Sequence, residues 1–520
     1  MSLSLMLTLA MAAADRCFAQ VQPGGQTKGA TPGKAAAGNA AAGSQEKAKG
    51  DSGSQPADPG QPAAKSKEGD GPAEAPPDPS QTQKVSPVEI FKDPLASQLI
   101  DLKSFNPIRN RPPAPGDIEA VKDMAQNPAA PVDPTLIRRM VGGMIAQLTD
   151  TKNIQLVIDP PPTSAPGTDA RAIETATRNL QEPLFVARAN KSTQFLTEYN
   201  KALIQLLPPV LKNHLVPRVQ AMIVLGQTGS PEAYKLFLDE IKNPKQTVWV
   251  KLWAFRGITN IIRYNETPRL NNQQTVDAAR VISDFLGENK EVPWPVQYRA
   301  LEALTYLRQG TEPKSPKEAK IASTVARILA DPKARPDVRS EAARALGLMQ
   351  ITTAVTDYNH ALVAYLTGQV AAAIGDEIVA SYSEKGPALN ATKAQYLATL
   401  LIGPIFQTFE GQAGVRDSGL LHNPAAASSR SEIQKVQDLI TPLSKSAVDL
   451  VKAPAGQLAS RRKDLQARVA AVRAYLAKNV PANGHLVPGD DGFLAGAEEP
   501  ASPPEPASGP ATAKAAGPSR

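Results

Sequence analysis

The residues best suited to catalysis or metal binding are few: four histidines, His214, His360, His422 and His485, and a single cysteine, Cys17, in 520 residues. No two histidines stand three or four residues apart, the spacing that would put two ligands on one helix face. The chain contains no His-Glu-x-x-His and no Gly-x-Ser-x-Gly. Its nearest approach to a phosphate loop, Gly33-Lys34, is followed by Ala35 where a hydroxyl is needed, and no strand precedes it. The chain therefore reads as non-enzymatic, with no cofactor and no metal site. Other side chains have types suited to contact. Trp249 and Trp253 lie one helical turn apart and read as core. Trp294, between Pro293 and Pro295, reads as a partly exposed loop residue suited to touching a partner. Arg461, Arg462, Lys463, Arg468, Arg473 and Lys478 make one stretch basic, while Leu465, Val469, Val472 and Leu476 give it an apolar stripe. It reads as a solvated amphipathic helix whose alternative use is to meet an anionic surface.

These residues must be positioned by helices. Apolar residues at i, i+3/i+4 and i+7 from Leu136 to Leu148 predict a helix over 134–150. Two more are expected over 169–181 and 183–207, with a break at Pro183. From about residue 214 a pattern recurs: Val or Pro, a basic or polar residue, then Ala, then a pair like Leu-Gly. Its anchors, Ala221, Ala254, Ala300 and Ala342, are 33, 46 and 42 residues apart. A drifting period of that size marks stacked helical pairs. First helices are expected over 216–226, 248–260, 296–307 and 337–349. Second helices are expected over 231–242, 275–286 and 316–331, with a long one from 355 onward. Pro231, Pro316 and Pro336 are placed at helix starts, where a missing N–H costs nothing, and Gly226 and Gly347 at helix ends. Further helices are expected over 396–409, 431–451 and 457–479.

The best repeat, with Asp331-Pro332, Val338-Arg339, Ala342-Ala343 and Ala345-Leu346-Gly347, resembles HEAT-like repeats of the bacterial type. The resemblance covers about 216–349; at Ala254 the chain departs from it, with Gly257-Ile258-Thr259 in place of Ala-Leu-Gly. It implies an all-α fold, a HEAT-like α-solenoid with helical flanks, in which Ala221, Ala254, Ala300, Ala342, Leu346 and Gly347 serve packing between repeats. It also implies that the basic position after Val (Arg218, Lys251 and Arg339, with Gln297 the exception) builds a polar ladder between repeats. Second helices usually line the concave surface in this family, which makes Lys235, Asp239, Arg280, Asp284, Lys320 and Arg327 the expected protein-binding ridge, with Trp294 beside it. The alternating signs suit a protein or peptide better than nucleic acid, which needs a continuous positive track.

The ends read differently. Residues 1–19 resemble a secretory signal, although their start lacks Lys and Arg, with cleavage expected between Ala19 and Gln20. Residues 20–86 hold no Leu, Ile, Phe, Tyr or Trp and read as a disordered linker; 487–520 read as a Pro/Ala/Glu tail. Between them fall an N-terminal helical region (87–213), the repeats (214–385) and a C-terminal helical region (386–486). The stretch 358–375 is apolar but interrupted, so no transmembrane span is expected. The net charge is +7, and the linker is balanced while the tail is acidic, so the helical body carries the positive excess. The function expected is an exported, periplasmic, envelope or extracellular scaffold that grips a protein. The alternatives are association with an anionic envelope polymer or, without export, binding of nucleic acid.

Overall fold

The computed structural model describes residues 106–159, 171–264, 269–289, 291–312, 317–351, 355, 357–385, 388–481, 484–488 and 492–493. The stretches expected to be a signal, a linker and most of a tail lie outside the described residues, and with them Ala19, Gln20 and Pro316. The described residues are all-α: they contain no strand, only two isolated bridges, Gln309 with Gln350 and Tyr382 with Ala388.

Four helices precede the repeats after a first one, α1 (Pro115–Gln126): α2 (Pro134–Leu148), α3 (Thr151–Ile158), α4 (Ala172–Ala189) and α5 (Thr193–Leu206). Asp133 and Asp150 cap α2 and α3 by accepting from backbone N–H groups of the first turn. The expected break at Pro183 is absent, for Pro183 is buried inside α4. The chain turns instead at Asn190–Ser192, where Lys191 takes φ 58°. A proline costs a helix one hydrogen bond, and burial of Leu180, Leu184 and Ala187 holds the helix together around it.

The helices that follow alternate. First helices are α6 (Leu215–Gln227), α8 (Val248–Tyr264), α10 (Trp294–Leu307) and α12 (Pro336–Leu348). Second helices are α7 (Tyr234–Lys242), α9 (Asn272–Glu288), α11 (Lys320–Ala330) and α13 (His360–Ala380). Each first helix packs on the next, from α4 through α6, α8 and α10 to α12, while α7, α9, α11 and α13 form a second row in contact with it. The alanine anchors explain the first row. Ala221, Ala254, Ala300 and Ala342 are all 0% exposed, and their methyl groups allow close approach of neighbouring backbones.

Two glycines take a different part from the one expected. Gly226 and Gly347 lie inside α6 and α12, whose ends come one residue later, and neither has positive φ. They are contact points: a Cβ at Gly226 would sit 3.0 Å from the Trp253 carbonyl oxygen, and one at Gly347 2.3 Å from that of Thr408. Leu346 is buried beside the second contact. Ala342→Leu and Gly347→Ala should each lower the urea midpoint, by about 1–3 kcal/mol of stability; an unchanged midpoint for both would place these contacts elsewhere.

Beyond the repeats, α14 (Ala391–Leu400) runs through a π turn (Leu401–Ile405) into α15 (Phe406–Glu410), making one long helical rod beside α12. Pro404, which has no N–H, sits in the π turn. Helices α16 (Arg430–Val451) and α17 (Leu458–Lys478) pack on each other and on α13. The long helix expected from 355 onward is α13, which starts at His360 and continues past the apolar stretch through Asp376 and Glu377 to Ala380. By length and composition its 21 residues could cross a membrane, and 78% of its most apolar stretch is buried inside the protein.

Candidate functional site

The expected ridge is exposed, and two of its cations, Arg280 and Lys320, have carboxylates close by. On α9, Arg280 lies 3.9 Å from Asp277 and 3.8 Å from Asp284, with all three side chains roughly half exposed. On α11, Lys320 reaches Glu318 at 3.1 Å. Lys235 and Asp239 on α7, and Arg327 on α11, are exposed as well. Half-exposed pairs of this kind contribute at most about 1 kcal/mol each.

The first helices carry a denser arrangement, built from Arg256 two residues after Ala254, Arg299 and Glu302 on either side of Ala300, and Glu341 and Arg344 on either side of Ala342. Positions i and i+3 share a helix face, so these side chains line the seams between α8, α10 and α12. Arg256 (α8) donates from Nη1 to Glu302 Oε1 at 2.7 Å, and Arg299, one turn from Glu302 on α10, donates to Oε2 at 2.8 Å. Thr305 Oγ1 donates to Glu341 Oε1 (α12) at 2.8 Å, and Arg344 reaches both Glu341 oxygens at 3.1 and 3.2 Å. Glu302 and Glu341 are both buried.

Their environments push them apart. Burial alone would raise Glu302, but Arg299 and Arg256 outweigh it and hold the carboxyl at about 2. For Glu341 burial prevails, with help from the neighbouring Glu302 charge, and its value is raised despite Arg344. Tyr298 is pushed far up, first by the Glu341 charge and then by burial.

Arginines also meet aromatic rings borne by α8 and α10. Arg344 and Arg263 lie over Tyr306, at 5.6 and 5.8 Å from the ring centroid. Arg299 lies near Tyr298 at 5.8 Å, Arg188 over Tyr264 at 4.0 Å, and Arg335 over Trp294 at 4.4 Å. Asp337 joins the last pair to the next helix, for it accepts from Arg335 Nε and Nη2, each at 3.2 Å, and from Tyr396 Oη of α14 at 3.2 Å. Trp294, Tyr298 and Tyr306 are half-buried.

Trp294 thus differs from expectation. Pro293 caps α10 and Pro295 occupies its first turn, so the Pro-Trp-Pro stretch begins a helix and Trp294 is its first residue. Trp249 and Trp253 are buried. The polar ladder also lies elsewhere than expected. Arg218 donates to the Asn213 carbonyl and, at 3.2 Å, to Gln246, so it holds the stretches before α6 and α8, and Arg339 donates at 2.9 Å to the Leu329 carbonyl in the last turn of α11. Lys251 is buried over the Phe285 ring. The ladder between first helices is the Arg256–Glu302 and Thr305–Glu341 series, and the alternating signs two residues after three anchors, Arg256, Glu302 and Arg344, were the signal for it.

The histidines serve separate structural positions, although Asn359, next to His360, donates to the His485 carbonyl at 3.3 Å. His214 caps α6, His360 opens α13, His422 meets Glu410 at 3.0 Å, and His485 lies in the chain following α17. Among the described residues no three His, Cys, Asp or Glu side chains gather as a metal site. On α17, Arg473 pairs with Asp376 and Arg468 faces Asp464 at 3.7 Å, while Arg461 and Lys463 are exposed. Comparison with protein-family models, with curated proteins and with solved structures found no match to this chain.

Proposed function

We propose that this chain is a non-enzymatic, exported protein-binding scaffold, a HEAT-like α-solenoid that grips its partner along the arginine–aromatic row of its first helices. The observation that carries this reading is the composition and support of that row. Trp, Tyr and Arg dominate the energetics of protein interfaces. Here Arg335, Trp294, Arg344 and Tyr306 are held in place by Asp337, Glu341 and ring contacts before any partner arrives. Such side chains lose little freedom on binding, which favours affinity. Two rows of alternating helices with alanine anchors support the solenoid assignment, and the opening apolar stretch supports export, to be checked by finding Gln20 as the mature N-terminus.

The test places a photo-crosslinking residue at Tyr306, Asp239 or Arg461 in cells and identifies the adducts from the envelope fraction. A defined protein adduct at Tyr306 that persists at physiological salt is expected. Binding of that protein should weaken at least tenfold with Trp294→Ala plus Arg335→Ala, and less with Arg280→Glu plus Arg327→Glu. The exposure of Arg461 and Lys463 favours one other reading, attachment to an anionic polymer. Loss of binding on neutralising Arg461, Arg462 and Lys463, with affinity collapsing between about 50 and 200 mM salt, would replace the scaffold by that reading.

A further inference from the structure

The Pro-rich stretch after Phe493 carries Glu498, Glu499 and Glu505 and no Lys or Arg before Lys514, in a chain whose net charge is +7. Its root on the folded body is defined. Phe493 donates from its backbone N–H to the Gly484 carbonyl at 2.8 Å, and Asn359 donates to the carbonyls of Leu486, at 2.8 Å, and His485, at 3.3 Å, so the root lies at the start of α13. Helices α12 and α13 pack on each other and run antiparallel. Tyr396 of α14 bonds Asp337 in the first turn of α12, while Lys393, one turn earlier, pairs at 2.9 Å with Glu377 in the last turn of α13. The start of α13 therefore lies beside the end of α12, one turn beyond Arg344 and the Tyr306 ring it meets. Phe493 and Glu499 are six residues apart. In the polyproline conformation they span about 19 Å, roughly two interhelix spacings.

The arginine–aromatic row matches this stretch along α10. Tyr306 and Trp294 are twelve residues apart, with Tyr298 between them, which is about 18 Å of helix. Glu499 and Glu505 are six residues apart, with Pro500, Pro503 and Pro504 between them, which is about 19 Å of polyproline. Arg263, exposed, stands over Tyr306, and Arg335, 52% exposed at the side chain, stands over Trp294. Arg335 uses only two of the five N–H donors of a guanidinium on Asp337, so it has donors for a second carboxylate. Aromatic grooves suit Pro-rich segments because such segments are extended before they bind. The Pro-rich 20–86 stretch is the weaker match, since its charges balance and it joins the body at the other end of the stack, where Asn106 meets Asn213.

We infer that residues 498–506 occupy the arginine–aromatic row of their own chain, with Glu499 at Arg263 and Glu505 at Arg335, and so compete with the partner for it. The inference rests on the reading of that row as a binding surface.

The test uses the purified full chain with a benzophenone amino acid at Tyr306, at Trp294 or, as a control, at Asp239, irradiated at low concentration and digested with trypsin. No Lys or Arg lies between Lys478 and Lys514, so 479–514 emerges as one peptide. It should be joined to positions 306 and 294 and not to 239, with the 306 adduct on the Phe493 side of Pro503 and the 294 adduct beyond it. Mixing with isotope-labelled chain should show both adducts within single chains. Glu498→Lys, Glu499→Lys and Glu505→Lys together should lower the yield about tenfold with the circular dichroism spectrum unchanged. Adducts to 20–86, adducts between chains, the reverse order along the peptide, a yield indifferent to the charge reversal, or no adduct would each overturn the inference. The partner is absent from this experiment, so the two readings fail separately. An envelope fraction without a protein adduct would remove the partner and leave the tail in place, and a purified chain without a tail adduct would do the opposite.

Discussion

Glu302→Gln is expected to destabilise the protein by roughly 3–5 kcal/mol, the cost of removing one partner from a buried ion pair. The substitution preserves shape but leaves Arg256 and Arg299, 6% and 12% exposed at the side chain, without the carboxylate both depend on. Glu341→Gln is the internal comparison and should cost far less. Burial raises the Glu341 carboxyl above its ordinary value, the opposite of the shift at Glu302, and an amide still accepts from Thr305. The pH dependence has a definite sign. Glu302 titrates at about 2 in the folded protein against 4.5 in its ordinary state. The stability it contributes is therefore present above 4.5 and lost as pH falls through 2. Urea midpoints at pH 7 and pH 3 provide the test. Equal losses for Glu302→Gln and Glu341→Gln at pH 7 would mean that the two carboxylates are not in the opposed environments described. Replacing Arg256, Arg299 and Glu302 together by apolar residues of similar volume should recover much of the loss, since a buried triad contributes less to stability than its rupture costs.

What could be read in the sequence was what depends on one helix at a time. The all-α class followed from apolar periodicity, and Pro336 stands at the first position of α12 because its missing N–H is harmless there. The alanines at drifting intervals, Ala221, Ala254, Ala300 and Ala342, all lie on buried faces of the first helices, because a small residue between large apolar ones has few other uses. Where a second element decides the outcome, the reading went astray. Pro183 breaks a helix only if packing does not hold it, and the buried face of α4 holds it. Gly347 looked like a helix stop, but the backbone at Thr408, some sixty residues downstream, requires its bare Cα. Trp294 between two prolines suggested a loop, because the sequence does not show that both prolines fall in a helix entry. The charged ridge on the second helices was visible as alternating signs, but the pairing of Arg280 with Asp277 and Asp284 on α9 depends on rotamers. The ladder at Glu302 and Glu341 needs two helices in register. The bare stripe of Tyr396, Ile402 and Phe406 is the extreme case, since an apolar face looks the same whether or not a neighbour covers it.

A second large effect is expected on acidification, and it belongs to His360, the first residue of α13. Burial drives its value down to about 4 from 6.5, opposed only by the Tyr358 backbone. The ring is 3% exposed, meets the edge of Tyr358 at 4.5 Å between centroids, and keeps Nε2 buried without a hydrogen bond among the described residues. A neutral imidazole fits this site; an imidazolium would lose its hydration with nothing to replace it. In the unfolded chain the ring protonates near 6.5. Its contribution to stability is therefore intact above pH 6.5 and lost as pH falls through 4, at a slope approaching about 1.4 kcal/mol per pH unit and a total on the order of 3 kcal/mol. His360→Phe removes the titration while keeping a ring beside Tyr358. Any fixed packing change in the variant is independent of pH, and the remaining titrating groups are common to both proteins, so the difference in unfolding free energy between wild type and variant isolates His360. That difference should move by about 3 kcal/mol in the variant's favour between pH 7 and pH 4. A difference that stays flat across this window would mean that His360 is either solvated or paired, and that the entry to α13 is packed otherwise than described.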